Sequence, residues 1–130
     1  MENLLKGLRF EDGLIPAVIV DADGGEVLTL CYMDEDALRQ TLASGTVHVF
    51  RRSQRRVMQK GETSGHTQKV REVRVDCAGN SLLIVVEQRV AACHEGYRSC
   101  YFRRYDPARD TLEVTGQKIF DPKKVYGKGS

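Results

Sequence analysis

The sequence predicts a mainly β domain of the α+β class, and three observations lead to this prediction. Segments rich in β-branched residues recur at strand length and are separated by short polar or glycine-containing breaks. One stretch, residues 33–45, places apolar side chains at helical spacing. The chain has 130 residues, 41% hydrophobic and 29% charged, so it can bury one core without covalent crosslinks. We expect a single domain over residues 1–130.

The first predicted elements are a β-hairpin and a helix. LIPAVIV (14–20) and EVLTLCY (26–32) flank DADGG, a cluster of turn residues, and this arrangement predicts a hairpin. The next segment, MDEDALRQTLASG (33–45), carries three acidic residues where a helix N-terminus favours negative charge, and it ends in Gly45. This pattern predicts a helix of about three turns.

The rest of the chain is predicted to be mainly β. Its strand-like segments are TVHVF, QKVREVRVDC, NSLLIVVEQ and SCYFRRY. Between the second and third of these, AGN (78–80) predicts a tight turn, which places Cys77 at the end of a strand. The final stretch, DPKKVYGKGS, is expected to be an irregular closing segment anchored by Tyr126.

The N-terminal residues and the composition predict a cytoplasmic protein. MENLLKGLRFEDG lacks the apolar stretch and cleavage site of a signal peptide, and the longest apolar runs are too short to cross a bilayer. Disulfides are rare in the cytosol, so the four cysteines are expected to be core residues, metal ligands or catalysts. The net charge of +2 argues against a general nucleic-acid binder, and no membrane partner is expected.

A basic run and the loop after it form the first candidate binding site. In RRSQRRVMQK (51–60) five of ten positions are Arg or Lys. KGETSGH (60–66) adds two glycines and two hydroxyl side chains, which allow close approach to a phosphate. The loop lacks the closing Gly-Lys-Ser/Thr of a Walker A motif. The pattern indicates an anionic ligand, and the alternative is a solvated strand pair or loop.

Three cysteines form the second candidate site. Cys77 at a strand end, Cys93 before a glycine-containing loop and Cys100 at the next strand could supply three thiolates and leave a fourth position open. Three protein ligands plus water is the pattern of catalytic zinc, whereas structural zinc sites use four protein ligands. A nearby base would assist such a site. His94 and His66 are the candidates, because histidine titrates near neutral pH.

The same cysteines leave two alternatives open. They could serve packing alone, which is the role expected of Cys31 in the middle of a strand. Cys93 could instead be a nucleophile with His94 as its base. Neighbours in an extended segment point to opposite sides, so this second alternative ranks below a metal site.

A series of motifs spans nearly the whole chain. KGETSGHTQ, VREVRVDC and ACHEGYRSCYFRR follow one another, with steps of 16 and 7 residues from Cys77 to Cys93 to Cys100. LTLCYMDEDALRQTLASGTVHVF and FDPKKVYGK extend the pattern towards both ends. In this order and spacing, the motifs resemble the phosphoribosyl-AMP cyclohydrolase family of histidine biosynthesis.

The resemblance implies a β pseudobarrel capped by one α-helix and assembled as an intertwined homodimer with active sites at the interface. It implies zinc-dependent hydrolysis of 1-(5-phosphoribosyl)-AMP, which opens the adenine ring between N1 and C6. Cys77, Cys93 and Cys100 would hold the zinc, one from one subunit and two from the other. His94, and second His66, would carry the proton. The residues expected to bind the substrate and its two phosphates are Arg52, Ser53, Arg55, Lys60, Gly61, Glu62, Thr63, Ser64 and Gly65.

One segment departs from the family pattern. The family typically has Asp-Cys-Asp-x-Asp around its first cysteine, with three carboxylates that bind magnesium. This chain has Asp76, Cys77, Ala78, Gly79 and Asn80 in that stretch. A methyl group cannot ligate a metal, and an amide oxygen ligates without charge. We therefore expect a weakened or altered magnesium site at Asp76 and Asn80.

Two further hypotheses compete with the cyclohydrolase. A paralogue acting on another purine nucleotide would explain the altered Asp-Cys-Asp-x-Asp segment. A noncatalytic RNA-binding module would use the basic run with Phe50, Tyr101 and Phe102 as stacking surfaces. An ordinary zinc deaminase is disfavoured, because His-x-Glu followed by Pro-Cys-x-x-Cys is absent from the sequence.

Overall fold

The structure is a computed structural model that describes residues 1–60, 67–88 and 97–115. The predictions made for Cys93, His94, His66, Tyr126 and residues 61–65 lie outside these ranges. The elements, in chain order, are α1 (Glu2–Lys6), β1 (Ile15–Asp21), β2 (Val27–Met33), α2 (Glu35–Ser44), β3 (His48–Arg51), β4 (Arg56–Gln59), β5 (Gln68–Val75), β6 (Leu82–Gln88), β7 (Arg103–Asp106) and β8 (Thr111–Val114).

Four of the strands form one sheet with the order β2-β1-β6-β5. The two central strands, β1 and β6, run parallel, and each pairs with its outer neighbour in antiparallel fashion. The remaining strands form two separate antiparallel hairpins, β3–β4 and β7–β8. The mainly β α+β class is confirmed. The described strands form open sheets rather than a closed barrel, and a second, short helix accompanies the predicted one.

The predicted hairpin and helix are both confirmed. β1 and β2 pair across the DADGG turn, from Ile15 opposite Met33 to Val20 opposite Val27. Helix α2 begins at the Asp34 cap, whose carboxylate accepts a hydrogen bond of 2.7 Å from the backbone N–H of Ala37. It ends at Gly45, which has the left-handed φ of 79° that favours glycine.

The core lies on one face of the sheet. Alternate residues of β1 and β6 are buried, as expected for strands with one face towards the core. Helix α2 buries Ala37, Leu38 and Thr41. Neither helix in the described ranges is long and apolar enough to span a membrane. The buried apolar residues are Leu8, Ile15, Ala17, Ile19, Leu28, Met33, Ala37, Leu38, Val47, Val49, Leu82, Ile84 and Val86.

Three local assignments differ from the sequence prediction. The segment SCYFRRY becomes a strand only from Arg103, because Ser99 and Cys100 instead bond to the edge of β2. Helix α1 and strand β8 were not predicted, since elements of five and four residues carry too few side chains to show a period. The basic run, for which a strand pair was one alternative, supplies the last residue of β3, the turn and β4.

Candidate functional site

Cys77 lies in the turn between β5 and β6, as the AGN segment predicted. The backbone N–H of Asp76 donates to the carbonyl of Ser81 at 3.2 Å, and that of Gly79 donates to the carbonyl of Asp76 at 3.1 Å. The Asp76 carboxylate accepts hydrogen bonds from the backbone N–H groups of Asn80 at 2.8 Å and Ser81 at 3.3 Å. Cys77 is exposed and carries a free thiol. The turn therefore presents this thiol to solvent on a hydrogen-bonded frame.

The Cys77 turn is fixed against the N-terminal segment. The backbone N–H of Arg9 donates to the carbonyl of Gly79 at 2.7 Å. Gly79 is buried, has a φ of 73°, and a Cβ atom placed on it would overlap the carbonyl oxygen of Gly7. Only glycine satisfies both the left-handed backbone and this close approach. The position of Cys77 thus depends on residues at the start of the chain.

Cys100 lies against the opposite outer strand of the sheet. Its backbone N–H donates to the carbonyl of Leu28 in β2 at 2.7 Å, and the Ser99 hydroxyl donates to the carbonyl of Val27 at 2.7 Å. Cys100 is half-buried and its thiol is free. Tyr97 and Phe102 flank Cys100 in sequence, and their rings stack on each other. The ring centroids lie 3.9 Å apart, and the angle between the ring planes is 5°.

Within one subunit, Cys77 and Cys100 lie on opposite sides of the four-stranded sheet. The β5–β6 turn with Cys77 and the edge of β2 with Cys100 are separated by two to three strand spacings, roughly 10–14 Å. Among the described residues, no group of three His, Cys, Asp or Glu side chains is placed to hold a metal.

Cys31 links Cys100 to the end of the basic run. Burial raises the pKa of the Cys31 thiol to about 12; the charge of Lys60 lowers it and the neighbouring Cys100 raises it. Cys31 therefore stays protonated at neutral pH, and its thiol donates to the carbonyl of Ala17 at 3.6 Å. Lys60 and Cys100 both lie within electrostatic range of this one sulfur. Sequence spacing gave no signal for this proximity, because it arises from the packing of β2 between two other segments.

The basic residues lie on the β3–β4 hairpin and its turn. The guanidinium of Arg52 lies over the ring of Tyr32, 4.5 Å from its centroid, which holds the cation in a defined place. Arg55 adopts a positive φ of 49° in the same turn, and both arginines and Ser53 are exposed. The structure thus brings Arg52, Ser53 and Arg55 together on one turn and places Lys60 just beyond the end of β4.

The candidate magnesium ligands share the Cys77 turn. Partial desolvation raises the pKa of Asp76, but hydrogen bonds from Asn80, Ser81 and Gly79 outweigh it and lower the pKa below its usual value. Ionised Asp76 therefore stabilises the turn at neutral pH, and this contribution is lost only as the pH falls through the lowered pKa. One carboxylate oxygen of Asp76 accepts the backbone hydrogen bonds of both Asn80 and Ser81, and exposed Ala78 offers no oxygen on its side chain.

The donor chemistry of the described cysteines fits zinc. Cys77 and Cys100 are free thiols, the first exposed and the second half-buried, and thiolate is a preferred zinc ligand. Three thiolates from protein would leave a fourth coordination position for water, as in catalytic zinc sites. Cys31 fits this set less well, because its thiol is turned to the carbonyl of Ala17, to which it donates at 3.6 Å.

Comparisons with known proteins agree with the motifs. A family model described as Phosphoribosyl-AMP cyclohydrolase matches residues 29–102. A protein of that name from Methanosarcina acetivorans is 48% identical over 122 residues, which cover 94% of this chain and 98% of the relative. A protein of the same name from Nitratidesulfovibrio vulgaris (strain DP4) is 50% identical over 88% of this chain and 90% of its own. A third, from Haloarcula marismortui, is 50% identical over 89% and 92%.

Proposed function

Because the chain belongs to the phosphoribosyl-AMP cyclohydrolase family, we propose that it hydrolyses the N1–C6 bond of 1-(5-phosphoribosyl)-AMP in histidine biosynthesis. The resemblance drawn from the motifs is confirmed at the level of the family. The observation that carries the proposal is similarity along nearly the whole chain, which includes the stretches around Cys77 and Cys100. We place this enzyme in the cytoplasm, where its thiols stay reduced.

The proposed metal centre holds zinc between two subunits of a homodimer. Cys77 would come from one subunit, and Cys93 and Cys100 from its partner. The placement of the two residues supports this arrangement, because within one chain the Cys77 turn joins β5 and β6, whereas Cys100 bonds to β2 on the other side of the sheet. When bound there, zinc would supply a Lewis acid that makes water nucleophilic near neutral pH.

The residues of the chain have two further roles in the proposed reaction. The ring nitrogen that leaves C6 needs a proton, and His94, with His66 second, would carry it. The phosphates of the substrate would bind the exposed turn of the basic hairpin and the loop after Lys60. Lys60 lies within electrostatic range of Cys31, as Cys100 does, so substrate bound along the basic run would reach the metal centre. The substrate-binding residues in this proposal are Arg52, Ser53, Arg55, Lys60, Gly61, Glu62, Thr63, Ser64 and Gly65.

Arg52→Ala tests the role of the basic turn. We expect the KM for phosphoribosyl-AMP to rise about tenfold with little change in kcat, because the variant loses one charge-assisted hydrogen bond to phosphate. Steady-state kinetics at fixed ionic strength measure both constants. The matched control is Arg39→Ala, which removes an exposed arginine that pairs with Glu2 and Glu35 on the helices. Equal KM values in Arg52→Ala and the wild type would remove Arg52 from the substrate site.

Magnesium is proposed to bind weakly at Asp76, the amide oxygen of Asn80 and oxygens of the substrate. Ala78→Asp returns a carboxylate to the same turn, so we expect the magnesium concentration for half-maximal activity to fall several-fold. Ala108→Asp is the control, since it adds the same charge to an exposed turn of the β7–β8 hairpin. If both variants require the same magnesium concentration as the wild type, the turn is not the magnesium site.

The proposed reaction is tested by incubating the purified protein with phosphoribosyl-AMP and following ring opening. AMP and adenosine serve as parallel substrates, and a zinc chelator is added in a second series. We expect turnover of phosphoribosyl-AMP alone, lost with the chelator and restored by zinc. Preferred turnover of AMP or adenosine would instead identify a paralogue, and full activity after removal of all metal would contradict the zinc-dependent mechanism.

A further inference from the structure

The segment that carries Cys100 is fastened to the β1–β2 hairpin by three consecutive residues. Arg98 forms an ion pair with Asp21 at the end of β1 and approaches Glu26 at 3.7 Å. The hydroxyl of Ser99 donates a hydrogen bond of 2.7 Å to the carbonyl of Val27. Cys100 follows with its backbone bond to β2. Arg98 thus meets two carboxylates, and that of Asp21 is the nearer of the two.

Asp21 is placed to act as a fixed anchor. Its carboxylate is only 3% exposed, whereas the Arg98 side chain is 36% exposed. One carboxylate oxygen accepts the backbone N–H of Asp23 at 3.0 Å and the other meets Arg98, so the carboxylate is held from two sides. The backbone N–H of Asp21 donates to the carbonyl of Glu26 at 2.8 Å. A charge held this rigidly in a buried place defines the position of its partner.

We infer that the Asp21–Arg98 ion pair is a positioning device that holds Cys100 in the place where it binds zinc. This inference rests on the proposed function, since it assigns the pair to the same metal centre. Asp21 does not touch the metal in this assignment. It acts through Arg98, two residues before Cys100, as outer partners of metal ligands do when they fix ligand orientation. Without the pair, the segment still has the contact of Arg98 with Glu26, the hydroxyl bond of Ser99 and the backbone bond of Cys100, and the sulfur is less well placed.

Asp21→Asn tests the inference with the smallest change. The amide oxygen of asparagine can still accept the N–H of Asp23, so the turn is retained, while the charge and the second oxygen that accepts from Arg98 are lost. We expect zinc affinity, measured by competition with a chromogenic chelator, to fall about tenfold. In protein loaded with cobalt instead of zinc, the sulfur-to-cobalt charge-transfer band should weaken. The matched control is Glu113→Gln, which removes the carboxylate of an exposed pair with Arg104 and should leave both readouts unchanged.

A second variant covers the case in which the charge of Arg98 impairs folding once Asp21 is neutral. Asp21→Asn combined with Arg98→Met leaves neither charge behind and still breaks the anchor. It should lower zinc affinity by at least the factor found for Asp21→Asn alone, because both variants remove the Asp21–Arg98 pair and the double variant also removes the contact of Arg98 with Glu26. Wild-type zinc affinity in either variant, with a wild-type circular dichroism spectrum, would overturn the inference. Failure of the wild-type protein to bind zinc would instead overturn the proposed function.

Discussion

Cys100→Ala is expected to abolish turnover of phosphoribosyl-AMP and to weaken zinc binding by more than the roughly 100-fold that loss of an outer partner can cost. The variant leaves two thiolates where zinc needs three protein ligands and an open position. Cys77→Ala should behave in the same way, although Cys77 lies at the other edge of the sheet. Zinc content per subunit and the rate of ring opening are the two measurements.

Cys31→Ala is the matched control for these cysteine variants. Burial raises the pKa of the Cys31 thiol to about 12, so it is neutral at working pH and packs against the core. Its removal should leave one zinc per subunit, even though the residue neighbours Cys100. Retention of zinc and of wild-type turnover by Cys100→Ala would contradict the proposed metal centre.

Gly79→Ala is expected to lower the free energy of unfolding by roughly 2–5 kcal/mol, since the costs of a strained left-handed residue and of steric overlap add. The added Cβ would overlap the carbonyl oxygen of Gly7, where the N-terminal segment packs against the Cys77 turn. Relief of this overlap would also shift the turn, so zinc affinity should fall with stability. Urea unfolding followed by circular dichroism gives the free energy.

Gly13→Ala separates the two costs at Gly79. Gly13 has a similar φ of 80°, but no atom lies within 4 Å of the Cβ that alanine would add. Gly13→Ala should lower the free energy of unfolding by only about 1–2 kcal/mol, which is the cost of a left-handed backbone at a residue other than glycine. If Gly79→Ala is destabilised no more than Gly13→Ala, the close approach of the turn to residue 7 is not a constraint on the fold.

The sequence predicted the elements whose signals are local. The acidic first turn and Gly45 identified helix α2, because caps and dipole effects act within a few residues. The DADGG cluster identified the first hairpin for the same reason. The cysteines could be proposed as metal ligands from their chemistry and number. The family-specific roles came from the resemblance alone.

Long-range placement could not be predicted from the residues. Nothing in the local pattern indicates that β6 joins β1 in parallel, or that the start of SCYFRRY leaves strand geometry to bond to β2. Arg98 and Asp21 are 77 positions apart, and their pairing depends on tertiary packing. The same holds for Gly79. A glycine is required there because the turn packs closely against Gly7, more than 70 residues earlier in the chain.

The two-subunit metal centre is tested most directly by mixing two inactive variants, Cys77→Ala and Cys100→Ala, by equimolar coexpression. A mixed dimer has one subunit of each variant. One of its sites lacks both Cys77 and Cys100, while the other combines the intact Cys77 of one subunit with the intact Cys100 of its partner. Random pairing makes half of the dimers mixed, each with one of two sites complete, so about a quarter of wild-type activity should return. A mixture as inactive as each variant alone would show that one polypeptide supplies every sulfur to its own site, and would contradict the shared centre.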